Sequence, residues 1–170
     1  MYEPDHVDEI IAAWRKELPE VAGLPLELAK RTALLNAAFD AVTAEELDKL
    51  GLTPADYGIL ATLRRVGAPY RLKPTDLTNA LLLSSGGTSN AVKRLVAAGY
   101  VARESDDRDG RSSWVRLTPR GVEVTEEAVR LTTRAHERLV ERIPEQTARL
   151  ISELLRVALA SVEDGVLLRR

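Results

Sequence analysis

The chain contains no cysteine and only two histidines, His6 and His136. Without thiols it cannot form disulfide bonds, thiolate metal sites or a cysteine-based peroxide sensor. Two histidines are too few for a classical zinc site, and we expect both at the surface. We therefore expect neither a metal nor another cofactor.

Long apolar runs are also missing. No stretch approaches the roughly 20 residues that span a bilayer, and the first residues lack the basic-then-apolar pattern of a signal peptide. With 170 residues, 45% hydrophobic and 29% charged, the composition is ordinary for a globular protein. We expect one compact unit, located in the cytoplasm and without membrane contact.

The net charge of −2 argues against a nucleic-acid partner only if it is averaged over the whole chain. Residues 60–120 contain eleven Lys and Arg against five Asp and Glu, whereas the remainder contains thirteen against twenty-one. Affinity for DNA depends on the local basic surface rather than on the total charge. The asymmetry indicates a basic head on an acidic helical body.

Residues 74–121 carry the most informative pattern. They predict two short helices joined by a tight turn and followed by a β-hairpin, which is a winged helix-turn-helix. We expect Thr75 to cap the first helix after Pro74. The buried stripe of this helix should consist of Leu77, Ala80 and Leu81.

The second helix should begin at Ser84 or Ser85 and should have two distinct faces. At 100° per residue, its packing face should contain Thr88, Val92, Leu95 and Val96, with Ala91 at its edge. The opposite face should contain Gly86, Gly87, Asn90, Lys93, Arg94 and Ala97. Two glycines in a first turn disfavour a helix by about 1 kcal/mol each, but they allow a phosphate to approach the free N–H groups. The alternative interpretation of the glycine pair is a loose connecting turn.

A hairpin should follow, with strands at 100–104 and 112–117 and a polar tip between them. Val115 and Leu117 should face the core, and Trp114 and Arg116 should face outward. The tip contains three aspartates and two arginines. Such a mixture suits an arginine that is oriented by an aspartate and enters a minor groove. The alternative is a solvated turn.

In this order and spacing, three segments of the head resemble the MarR family of bacterial transcriptional regulators. The segments are 83–90 at the entry of the second helix, 94–101 at its exit, and 109–111 followed by 115–121 from the wing onward. The close match covers about the middle third of the chain. One departure is Gly110, where many members carry arginine, so either Arg108 or Arg111 is the arginine that reaches the minor groove.

Helices should flank the head on both sides. The patterns predict helices at 6–18 and 26–50, a Thr53-Pro54 start, a Thr118-Pro119 start running to about residue 142, and a last helix from Pro144 to Val162. The fold is therefore expected to be mainly α with a small β wing. We divide it into N-terminal helices (1–50), the winged helix-turn-helix (51–120) and C-terminal helices (121–170).

The last helix is apolar on more than one side, so a partner subunit should cover it. The resemblance likewise implies a homodimer that joins through the N- and C-terminal helices and reads a pseudo-palindromic operator. It also implies a small aromatic or anionic effector between those helices and the head. Trp14 is the candidate for that pocket, with an ordinary core position as the alternative.

The urate-responsive branch of the family is similar in having an extra N-terminal helix with a tryptophan. That branch carries an acidic residue shortly after the next Thr-Pro helix start. Gly58 stands at the matching place here, which argues against urate itself.

The favoured hypothesis is thus a dimeric DNA-binding regulator, most simply a repressor. Asn90 and Arg94 are expected at base edges, Thr88 and Lys93 at phosphates or in support. The full set of expected DNA contacts is Thr75, Ser85, Gly87, Thr88, Ser89, Asn90, Lys93, Arg94, Arg108, Asp109 and Arg111. A winged-helix module that binds a protein instead of DNA is the alternative. An enzyme is disfavoured because the chain has no cysteine, no glycine-rich phosphate loop of the usual spacing and no histidine placed near a candidate nucleophile.

Overall fold

The computed structural model describes residues 4–81, 84–106 and 109–163, with the backbone alone for residues 85, 106, 109–112 and 163. By its internal contacts the chain divides into two compact units, Met1–Val42 and Thr43–Arg170. The expected fold class, mainly α with a small β wing, is confirmed.

The first unit is helical. Helix α1 is followed by a short 3-10 helix and by the longer helix α2, whose last residues belong to the second unit; their bounds are His6–Glu17, Pro19–Val21 and Leu24–Asp48. Helix α2 begins two residues earlier than expected, because Pro25 fits the first turn of a helix, where its missing N–H needs no partner. It also ends two residues earlier, before Gly51, whose φ of +65° favours glycine.

Arg31 of α2 holds the start of α1. Its guanidinium donates to Asp5 at 2.8 Å, to Asp8 at 2.7 Å and to Glu27 at 3.1 Å. Asp5 is also the N-cap of α1 and forms a capping box with Asp8. The hydrogen bond from Arg31 lowers the pKa of Asp5 below its ordinary value. These acids therefore neutralise Arg31 and fix α1 on α2.

The second unit contains the head and the C-terminal helices. Its elements are α3 (Pro54–Arg65), β1 (Arg71–Leu72), α4 (Pro74–Leu81), α5 (Ser85–Ala97), β2 (Val101–Asp106), β3 (Asp109–Leu117), α6 (Pro119–Val140) and α7 (Glu145–Glu163). The three strands form an antiparallel sheet in the order β1-β3-β2. Val115 and Leu117 are buried as expected, together with Ile59, Leu77 and Leu95 from the helices.

Two helix starts carry the caps that the sequence predicts. The Thr53 side chain accepts from the N–H of Asp56, and Asp56 returns a bond to the Thr53 backbone, which completes a capping box before Pro54. Thr118 caps α6 by accepting from the N–H of Gly121, with Pro119 in the first helical position.

Glu126 joins α6 to α3. It accepts from Arg64 at 2.9 Å and from Arg130 at 2.8 Å. The Arg64 hydrogen bond is the main reason that the pKa of Glu126 lies below its ordinary 4.5. A carboxylate with a lowered folded-state pKa adds stability that is complete above the unfolded-state pKa and is lost as the pH falls through the folded-state pKa.

We therefore expect Glu126→Gln to be less stable than the wild type near pH 7, with the difference shrinking below about pH 4.5. Urea unfolding followed by circular dichroism at about pH 7 and pH 3 measures this. Glu145→Gln is the control, because the pair of Glu145 with Arg149 is exposed on both sides and should contribute little. A difference that stayed constant with pH would contradict the role of the Glu126 carboxylate.

Over the described ranges, no helix is both long and apolar enough to cross a membrane.

Candidate nucleic-acid interface

Helix α5 begins with a capped but otherwise bare first turn. Ser84 is the cap, and its side chain accepts from the N–H of Gly87 at 3.1 Å. Gly86 and Gly87 are exposed, and a Cβ built on Gly86 would meet nothing within 4 Å. The glycine pair therefore lies in a helix rather than in a loose turn. It leaves backbone N–H groups open at the positive end of the helix dipole.

The packing side of α5 differs in one respect from the expectation. Thr88, Val92 and Leu95 are buried as expected, whereas Val96 is 39% exposed and Ala91 is fully buried. The buried arc is therefore centred nearer to Ala91 than the aliphatic residues alone suggest.

Thr88 is part of this support rather than of the open surface. Its side chain is 2% exposed, and its hydroxyl donates to the carbonyl of Ser84 at 3.2 Å. Asn90 and Lys93 are exposed on the other side of the helix, and Ser89 is half-buried between the two sides. Asn90 offers an amide and Lys93 an ammonium group to an external partner.

Helix α4 starts two residues earlier than an N-cap at Thr75 would give. Pro74 is its first residue, and the N–H of Leu77 donates to the carbonyl of Lys73, so Thr75 lies within the first turn and is not the N-cap. Proline suits this first position because its missing N–H would have no helical partner. The Thr75 side chain is exposed beside α5.

A cleft of about 400 Å³ lies between α4, α5 and strand β2. It is lined by Pro74, Thr75, Thr78, Asn79, Thr88, Ser89, Val92 and Arg103. Arg103 was not among the candidates from the sequence, although strand alternation places it two residues after the buried Val101 and therefore on the α5 side of β2. This alternation was the signal that could have identified it. The cleft brings Thr75, Ser89 and Arg103 together.

Arg94 is placed differently from Asn90 and Lys93. Its guanidinium donates to Asp56 of α3 at 2.8 Å and to the Thr53 hydroxyl at 3.2 Å. Asp56 is 4% exposed, so one end of the ion pair is buried. The pairing links α5 to the first turn of α3.

The described part of the wing consists of the antiparallel strands β2 and β3. Strands β2 and β3 reach nearer to the tip than expected and contain a register shift between Ser105 and Asp106. Arg108 lies outside the described residues. Of Asp109 and Arg111 only the backbone, on β3, is described, and the same holds for Ser85 on α5. The choice between Arg108 and Arg111 thus remains as the sequence left it.

The outer side of the sheet carries its own cations. Arg71 and Lys73 lie 4.8 and 5.2 Å from the centre of the Trp114 ring. Arg116 pairs with Glu104 at 2.6 Å. Trp114 and Arg116 face away from the core as expected. These contacts cover the side of the sheet opposite to Val115.

The candidate effector residue Trp14 is 42% exposed on α1. A cleft of about 440 Å³ in the first unit is lined by Asp5, His6, Val7, Arg31, Leu34, Leu35 and Ala38, and Trp14 does not belong to it.

At Gly58, where the urate-responsive branch carries an acid, a Cβ would lie 3.0 Å from Leu81. Over the described residues, no group of three or more metal-ligating side chains comes together.

Known proteins share this architecture. The family model described as MarR family matches residues 50–112. The chain is 31% identical over 115 residues to the HTH-type transcriptional regulator PecS of Dickeya dadantii, which covers 68% of this chain and 69% of PecS. The alignment with PecS covers about two thirds of each protein, and identity at this level over such a length indicates common descent.

Solved structures agree. Wild-type apo MarR from Escherichia coli superposes with a TM-score of 0.70 at 25% identity, covering 78% of this chain and 96% of MarR. A mutant MarR from the same organism, complexed with operator DNA, superposes with a TM-score of 0.68 at 23% identity over 86% of this chain and 97% of that one. The winged-helix head, the family model, the identity with PecS and the solved structures converge on one assignment: the chain belongs to the MarR family of transcriptional regulators.

Proposed function

We propose that this protein is a homodimeric, sequence-specific DNA-binding repressor whose α5 helices enter the major groove of a pseudo-palindromic operator. The observation that carries the proposal is the open side of α5, where Asn90 and Lys93 are exposed next to the bare, capped turn at Gly86 and Gly87. A MarR relative of the same fold is known in complex with operator DNA, which supports the proposal.

The chemistry of each group suggests its role. The Asn90 amide suits a bidentate pair with adenine, and the Lys93 ammonium suits a phosphate. The N–H groups of Ser85 and Gly86 suit a second phosphate at the helix N-terminus, and the bare backbone at Gly87, whose own N–H is held by the Ser84 cap, lets that phosphate approach. The buried Thr88 hydroxyl stabilises this turn by donating to the Ser84 carbonyl. Thr75 and Ser89 offer hydroxyls from the cleft beside α5.

Arg94 was expected beside Asn90 at a base edge. That contact stays a prediction, and it competes with the ion pair that Arg94 makes with Asp56. In the wing, we propose that Asp109 orients Arg108 or Arg111 so that one arginine enters the minor groove.

The dimer is proposed from the uncovered apolar surface of α7. Leu150, Leu154 and Val157 share one stripe and are between 56% and 60% exposed. Leu159 and Val162 form a second apolar side that is about half exposed. A partner subunit would cover both and would place two α5 helices about 34 Å apart, one helical turn of DNA. Residues 1–50 and 121–170 would then act as dimerisation segments and residues 51–120 as the reading head.

We also propose a small aromatic or anionic effector that changes the spacing of the two heads, with Trp14 as a candidate contact. Its exposure in one chain leaves the indole available to a ligand or to a partner subunit. Such a regulator acts on the chromosome, which places it in the cytoplasm.

Two substitutions test the proposed reading surface. Asn90→Ala should weaken operator binding by about 1–3 kcal/mol and relax the base preference at one position of each half-site. Lys93→Met should weaken binding to all sequences alike and reduce the salt slope by about 1. Fluorescence anisotropy with operator and scrambled duplexes across a salt series measures both effects.

Lys16→Met is the matched control, because Lys16 is exposed on α1 outside the head. It removes the same charge and should leave the salt slope unchanged. Wild-type affinity and base preference in both Asn90→Ala and Lys93→Met would contradict the proposed surface.

A further inference from the structure

The Asp56 carboxylate is shared between a local cap and a distant cation. Its Oδ2 accepts from the Thr53 N–H at 3.1 Å and from the Thr53 hydroxyl at 2.6 Å. Its Oδ1 accepts from Arg94 Nη2 at 2.8 Å. The side chain of Asp56 is only 6% exposed. The cap therefore uses one oxygen, and Arg94 supplies the charge that the buried carboxylate needs.

Arg94 lies on the flank of α5 rather than at the centre of its open side. The buried residues Thr88, Ala91, Val92 and Leu95 define the inward direction. At 100° per residue, Asn90 and Lys93 lie within roughly 30° of the opposite direction, and Arg94 lies roughly 70° from it. Its flank faces α3, whereas Ser89 on the other flank faces the cleft below Arg103.

We infer that Arg94 is a positioning residue: its ion pair with Asp56 fixes α5 against the first turn of α3, and Asn90 with Lys93 does the reading. The inference rests on the proposed DNA-binding function. The Arg94 Nη2 group is turned toward α3, and a base contact that drew the guanidinium away from Asp56 would leave a buried carboxylate without its cation. The half-exposed Arg94 side chain also screens the DNA-facing surface from the negative charge of Asp56.

A double-mutant cycle separates positioning from reading. The variants are Arg94→Met, Asp56→Asn and the double substitution, with Arg94→Lys as the conservative change. Asn retains the shape of Asp56 and an oxygen for the Thr53 cap. Arg130→Met is the matched control, since it also removes an arginine that donates to a carboxylate at 2.8 Å, but from a more exposed pair. Operator affinity, base preference from selected random duplexes, and urea unfolding are measured for each.

We expect Arg94→Met and Asp56→Asn each to lower operator affinity about tenfold, and the double variant to lose no more than either alone. Base preference should stay unchanged at every position, and Arg94→Lys should recover part of the affinity. Arg130→Met should bind like the wild type.

The inference is overturned if Arg94→Met relaxes the preference at one base pair per half-site, or if Asp56→Asn binds as well as the wild type while Arg94→Met does not. Additive losses in the double variant would also overturn it. The urea half of the cycle requires no DNA. If the wild-type protein bound no duplex, the proposed DNA-binding function would be wrong. Coupling between the two substitutions in the free energy of unfolding would still identify the ion pair as the link between α3 and α5.

Discussion

Replacement of Gly121 by alanine is expected to destabilise the protein by about 3 kcal/mol, at the upper end of the cost of overpacking. A Cβ at this position would overlap the carbonyl oxygen of Tyr100 and would lie 2.9 Å from the carbonyl carbon. Neither backbone can withdraw easily, because Thr118 holds them together: its hydroxyl donates to the Gly99 carbonyl at 2.7 Å and its N–H donates to the Tyr100 carbonyl at 3.0 Å.

For a chain of this length, such a loss corresponds to a fall of roughly 6–12 °C in Tm. Gly86→Ala is the matched control, because Gly86 also lies in the first turn of a helix but has open space around it. It should be neutral or more stable by up to about 1 kcal/mol. Thermal and urea unfolding of both variants measure the contrast. A Gly121→Ala protein as stable as the wild type would show that α6 does not press on the start of the wing.

Leu154→Glu is expected to break the dimer and to lower operator affinity by at least about a hundredfold. Leu154 is 60% exposed in the middle of the apolar stripe of α7, so a single chain should tolerate glutamate there. A buried interface should not, because the carboxylate would lose its water without gaining a partner. A monomer also loses the gain in affinity that two linked heads provide.

The matched control is Ala160→Glu, which adds the same charge to the same helix. At 100° per residue, Ala160 lies on the polar side of α7 between Arg156 and Glu153. Sedimentation velocity and anisotropy titrations should show a dimer with wild-type affinity for this control and a monomer with weak binding for Leu154→Glu. A Leu154→Glu protein that remained dimeric would remove α7 from the proposed interface.

Local chemistry explains why much of the fold could be predicted from the sequence. The Thr53–Asp56 capping box and the Thr118-Pro119 start depend on residues three or fewer apart, so their geometry is contained in the spacing. The alternation of Val115 with Trp114 likewise fixed the faces of the hairpin.

The contacts that could not be predicted are those between distant segments. Arg94 and Asp56 are 38 residues apart, and nothing local distinguishes an arginine that reads a base from one that neutralises a buried acid. Val96 was expected to be buried from its apolar side chain, but it is 39% exposed, and the fully buried Ala91 lies in the inward arc of α5. Pro74 rather than Thr75 begins α4, because proline has no N–H that would need a partner in the first turn of a helix.

The measurement that tests the central claim most directly is a mobility shift of the wild-type protein on the DNA that flanks its own gene, across a salt series. Specific retardation by a dimer, weakening steeply as salt rises, is the result expected from two heads that neutralise several phosphates. Failure on that DNA, together with failure to bind selected random duplexes at low salt, would contradict the account. It would then favour a winged-helix module that binds a protein.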